Sequence, residues 1–125
     1  MLFRSAGSDI ERQARLAEEL ARQGRPEEAE KILTQALQKA PDHMDLKNSL
    51  AVLRWSQGLR SEAVSILRGI LNQEPWHRAA NWNLGQFLKE VGLDQEARQV
   101  YEAYIQNNPG ESGMAGELRR WNSGN

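Results

Sequence analysis

The sequence predicts an all-α solenoid of three stacked helix pairs closed by a short capping helix. Three observations predict it. Glycines recur at Gly24, Gly58 and Gly92, alanines at Ala29, Ala63 and Ala97, and prolines at Pro41, Pro75 and Pro109, each set stepping by 34 residues. A fixed period of that size marks a repeat architecture, and 34 residues suits a pair of helices. Between these markers the apolar residues recur at three and four, the spacing of a one-sided helix.

Residues 1–8 read as a flexible Ser/Gly-containing leader. Asp9 is placed to cap the first helix, its carboxylate taking an orphan amide of the first turn. Ile10, Ala14, Leu16, Ala17, Leu20 and Ala21 then form one stripe, and Gly24 supplies the left-handed residue that ends many helices. Pro26 suits the first turn of the second helix. That helix carries Ala29, Ile32, Leu33, Ala36, Leu37 and Ala40, and Pro41 stops it.

The second pair runs from Met44 to Gly58, with Leu46, Leu50, Ala51 and Leu53, and then through Ala63, Ile66, Leu67 and Ile70 to Pro75. The third runs through Ala80, Leu84, Phe87 and Leu88 to Gly92, and then through Ala97, Val100, Tyr101, Tyr104 and Ile105 to Pro109. The connections are short, so successive helices are antiparallel neighbours. In residues 110–125, Met114, Leu118 and Trp121 share one helical stripe. They predict a capping helix over the apolar end of the last repeat, with Asn122 to Asn125 fraying. The repeat region is 9–109, divided as 10–43, 44–77 and 78–111.

Composition bounds the function. The 125 residues are 39% apolar and 26% charged, as in globular chains. Sixteen basic and 17 acidic residues leave a net charge of −1, against the basic footprint of a nucleic-acid binder. No cysteine is present, which removes disulfides and Cys-ligated zinc. No apolar run approaches the ~18 residues of a membrane span, and the first residues lack a secretory core. The expectation is a cytoplasmic protein that neither binds nucleic acid nor inserts into membranes.

The three units resemble tetratricopeptide repeats. The small residue at the eighth position is Ala17, Ala51 and Gly85, preceded by Leu16, Leu50 and Leu84. The alanine of the second helix is followed four residues on by Leu33, Leu67 and Tyr101. The next small position holds Ala36 but Ile70 and Tyr104, and the aromatic often found at the fourth position is replaced by Gln13, Lys47 and Asn81. The resemblance implies a right-handed array whose first helices line a concave, partner-binding groove. Its register assigns Glu11, Ala14, Arg15, Glu18, Ala21 and Arg22 to that groove in the first repeat. Asp45, Asn48, Ser49, Val52, Trp55 and Ser56 follow in the second. Ala79, Trp82, Asn83, Gln86, Lys89 and Glu90 follow in the third.

Within these positions Asn48, Val52, Trp55, Trp82, Asn83 and Gln86 stand out. The core stripe is already supplied by Leu50, Leu53, Leu84 and Phe87, so two tryptophans with three amides fit a site for an extended peptide or a partner helix. Amides bond a peptide backbone in both directions, and Trp gives large contact area at low entropy cost. The alternative is that one or both tryptophans pack between adjacent first helices. A clamp for a chaperone's C-terminal carboxylate, a specialisation of the family, is excluded. The positions it needs hold Ala14, Glu18, Ser49, Ala79 and Asn83, of which only Asn83 is a suitable type, and in the wrong repeat. Arg15 and Arg22 follow Glu11 and Glu18 by four residues and read as surface ion pairs.

Catalysis finds little support. His43 and His77 occupy one repeat position and read as helix starts near solvent, without a carboxylate to complete a metal site. Glu27, Glu28 and Glu30 favour a helix N-terminus. Trp76 reads as a staple of the turn at Pro75. The sequence therefore predicts a non-catalytic protein-interaction scaffold without cofactor or metal. The alternatives are an accessory domain of a larger enzyme such as a bacterial transferase, and a self-association module stacking end to end through Met114, Leu118 and Trp121 or through the first helix.

Overall fold

A computed structural model describes residues 6–124. Its described residues form seven helices and no strand: α1 (Ala6–Arg22), α2 (Pro26–Lys39), α3 (Met44–Ser56), α4 (Arg60–Gln73), α5 (Arg78–Glu90), α6 (Asp94–Asn107) and α7 (Gly113–Ser123). The first starts earlier than expected. Asp9 lies inside its first turn and pairs with Arg12, so it is not the residue that precedes the helix. An acid in a first turn still favours the helix dipole. The expected leader falls mostly on Met1 to Ser5, outside the described residues. At the other end α7 runs to Ser123, and Arg98 bonds Asn122, so the predicted fraying does not extend to Asn122.

The first helices of the three pairs end alike. Gly24, Gly58 and Gly92 have φ of +79°, +82° and +87°. At Gly24 the chain reverses with the Arg25 amide donating 2.9 Å to the Leu20 carbonyl, which satisfies a group the helix end leaves open. A side chain there would meet strain from the backbone alone.

The chain divides into two compact units, residues 1–70 and 71–125. In the first, α1 packs on α2 and α3, and α2 packs on α3. Ala14, Ala17, Leu20, Ala21, Ala29, Leu33, Ala36, Leu46 and Leu53 form one buried cluster, with Leu50 against it. The small residues let the helix backbones approach, and the leucines fill the space beside them. Leu16 departs from the predicted stripe and is 51% exposed. Its counterpart Leu50 is half-buried against the cluster.

Polar ties complete this unit. Arg54 reaches from α3 to Glu30 of α2 at 2.8 Å and Glu62 of α4 at 2.9 Å. The hydrogen bond from Arg54 holds the Glu30 carboxyl below its usual range, and Glu30 in turn raises Arg54. In the second unit α5 packs on α6 and α6 on α7. Tyr101, Tyr104 and Met114 are its buried centre, with Trp82, Val100, Ile105, Leu118 and Trp121 packed around them.

Candidate functional site

The six residues that the sequence singles out fall into both units, and their environments differ. On α3, Asn48 is 2% and Val52 8% exposed, so neither offers an open surface. Ser49, assigned to the groove by register, is fully buried. Its hydroxyl donates to Glu18 Oε2 at 2.7 Å, with the Ala14 carbonyl 3.1 Å away, and so ties α3 to α1. Ala14 and Ala21 are buried too. The register assigns these residues to the groove, yet in this unit Ala14, Ala21, Asn48, Ser49 and Val52 are buried.

Trp55 differs from them. It is half-buried, and the Arg60 guanidinium lies 4.8 Å above its ring, a cation–π contact at the turn between α3 and α4. The core of α3 is carried by Leu46, Ala51 and Leu53, each fully buried. Arg22 pairs with Glu18 at 3.5 Å, as its spacing predicts.

In the second unit Trp82 and Gln86 are engaged internally. The Trp82 ring stacks on Tyr101 with centroids 5.7 Å apart, and Tyr101 stacks on Trp121 at 5.0 Å. Arg78 covers the free face of Trp82 at 5.8 Å, and Lys89 lies 5.5 Å from Trp121. The result is a three-ring stack with a cation at each end. The Tyr101 hydroxyl donates 2.7 Å to the Trp82 carbonyl and accepts from Gln86 Nε2 at 3.0 Å. Burial pushes this phenol up to about 12, which keeps it a neutral donor. Gln86 also donates to Glu117 of α7 at 2.8 Å. Trp82 thus packs within this unit while remaining half-buried. All three of the third repeat's candidates, Trp82, Asn83 and Gln86, are half-buried on α5.

Sequence reasoning did not single out Glu111. Its carboxylate accepts from Arg78 Nε at 2.7 Å and Nη2 at 3.1 Å, and from the Met114 amide at 3.0 Å. It thereby caps α7, whose own cap residue Ser112 makes no side-chain cap. The Arg78 guanidinium, helped by the Met114 amide, holds the carboxyl down to about 2, against 4.5 ordinarily. A carboxyl depressed in the folded state adds stability above its unfolded pKa. That stability fades as pH falls from about 5 toward 2. Arg78 is more than half exposed, so solvent screening brings the effect down to about 1 kcal/mol. Urea midpoints at pH 6 and pH 3 will show it. Wild type will lose about 1 kcal/mol more than Glu111→Gln between them.

The histidines do begin helices. His77 Nδ1 accepts the Ala80 amide at 3.1 Å, a true cap, whereas His43 makes no such bond. Trp76 meets Tyr104 edge-on at 6.0 Å while 43% exposed, so it staples its turn with one face in solvent. Among the described residues no group of three or more His, Cys, Asp or Glu side chains is placed to hold a metal ion. No described helix is long and apolar enough to cross a membrane.

Two family models described as tetratricopeptide repeat match the chain, one over residues 20–75 and one over 54–112. Together with seven helices in the order and period of three such pairs and a terminal helix, they define its class. The chain belongs to the tetratricopeptide-repeat family, an α-solenoid fold whose members generally mediate protein–protein interaction. No curated protein matches it.

Proposed function

We propose that this protein is a non-catalytic interaction scaffold, and that it holds an extended peptide or a helix of a partner protein against the first helices of its repeats. The observation that carries the proposal is Trp55. A half-buried tryptophan on α3, where leucine and alanine already supply the core, offers a large rigid contact of the kind that dominates protein interfaces. Asn83 on α5 supports it as a half-buried amide able to pair with a peptide backbone. Asn48 and Val52 belong to the proposal as the buried support of α3, and Trp82 and Gln86 as the support of α5.

The test is capture of a partner from the source cell's lysate, followed by titration of that partner. Trp55→Ala will weaken binding about tenfold or more while helicity by circular dichroism stays unchanged. Asn83→Ala tests the second unit separately. Unchanged affinity in both variants overturns the proposal.

A further inference from the structure

We infer that the seat of α7 on α5 and α6 is a helix-binding site, and that its second occupant is α7 of another copy of this chain, so that two chains exchange their last helices. The seat is an aromatic floor of Trp82, Tyr101 and Tyr104, and Met114, Leu118 and Trp121 fill it from α7. Met114 is fully buried there and Leu118 and Trp121 are half-buried, so much of the surface that the sequence suggests for stacking of solenoid ends is already used. Exchange is the form of self-association that uses the same contacts.

Several features make α7 separable. It has 11 residues and contains Gly113 and Gly116, and helices this short are marginal in water. Its helicity therefore depends on its seat. Met114 alone is buried throughout, while Leu118 and Trp121 are half-buried. The remaining ties are polar: Arg78 to Glu111, Gln86 to Glu117 and Arg98 to Asn122. Water replaces such bonds in transit, and they re-form with the α7 of a second copy. The connection, Asn108 to Ser112, contains Pro109-Gly110 and borders an open depression of 430 Å³. It has room to straighten without disturbing the core. Exchanged and closed forms differ mainly in this hinge, so protein concentration decides between them.

The absence of cysteine makes the test direct. Two chains are prepared, one Gln86→Cys and the other Glu117→Cys, mixed at high concentration and treated with a short bismaleimide. Exchange predicts that the mixed cross-link exceeds both like-with-like products at least tenfold and rises with concentration. A mixed product no more abundant than the like pairs overturns the inference. Because Gln86→Cys removes the bonds to Tyr101 and Glu117, and Glu117→Cys the one from Gln86, light scattering on a chain with wild-type contacts and Gly110 deleted provides a second measurement. The shortened connection hinders closure on its own chain and will raise the dimer fraction at least tenfold. A monomeric deletion variant overturns the inference as well.

Discussion

Gly85→Ala will destabilise the second unit by about 2–3 kcal/mol, although alanine is the better helix former by about 1 kcal/mol. A Cβ at Gly85 would stand 2.1 Å from Tyr101 Cε1 and 2.6 Å from Cζ. Tyr101 has no route of retreat. It is fully buried, its two faces are stacked, and its hydroxyl is bonded on both sides. The other repeats pair Ala17 with Leu33 and Ala51 with Leu67, and all four are buried. Gly85→Ala combined with Tyr101→Leu therefore recreates their pairing. The double variant will recover at least about 1 kcal/mol of the loss, a coupling that a urea-denaturation cycle measures. Additive losses would show that the close approach at Gly85 has another cause.

Trp121→Ala will cost about 2 kcal/mol, less than the ~3–5 kcal/mol of a fully buried tryptophan because this one is half-buried. The variant uncovers one face of Tyr101 and removes the ring beside Lys89. The loss will be local. Hydrogen exchange will show the α7 amides opening to solvent, while α1, α2 and α3 keep their protection. Equal loss of protection in both units would show that α7 folds in one cooperative step with the rest.

The repeat frame was legible because backbone needs are written in single residues. A positive φ at Gly24, Gly58 and Gly92 selects glycine, and Pro41, Pro75 and Pro109 mark where helices have stopped. Helix count and order followed from those markers and the apolar spacing. The start of α1 was not legible, since Ala6, Gly7 and Ser8 carry no pattern that distinguishes a first turn from a leader. The candidate site was legible only as positions. Register assigns Asn48, Val52 and Trp82 to the groove side of their helices, but it does not say whether solvent or a neighbouring side chain lies there. For Trp82 the neighbour is Tyr101, at the position that holds leucine in the other two repeats. Gly85, read only as a small residue like Ala17 and Ala51, is its structural complement, and the connection between the two shows only in the packing. Glu111 was the least legible residue, because its role depends on Arg78, 33 positions away.

The pairing of Gly85 with Tyr101 also sets how this chain tolerates recombination. A first helix carrying glycine accepts a second helix carrying leucine, at the expense of a void. A first helix carrying alanine rejects the second helix that carries tyrosine. Shuffling single helices among the three repeats is thus permitted in one direction and barred in the other. Duplication or transplantation of the third repeat keeps its packing only when the two helices travel together, which makes the helix pair the smallest inheritable part of this array.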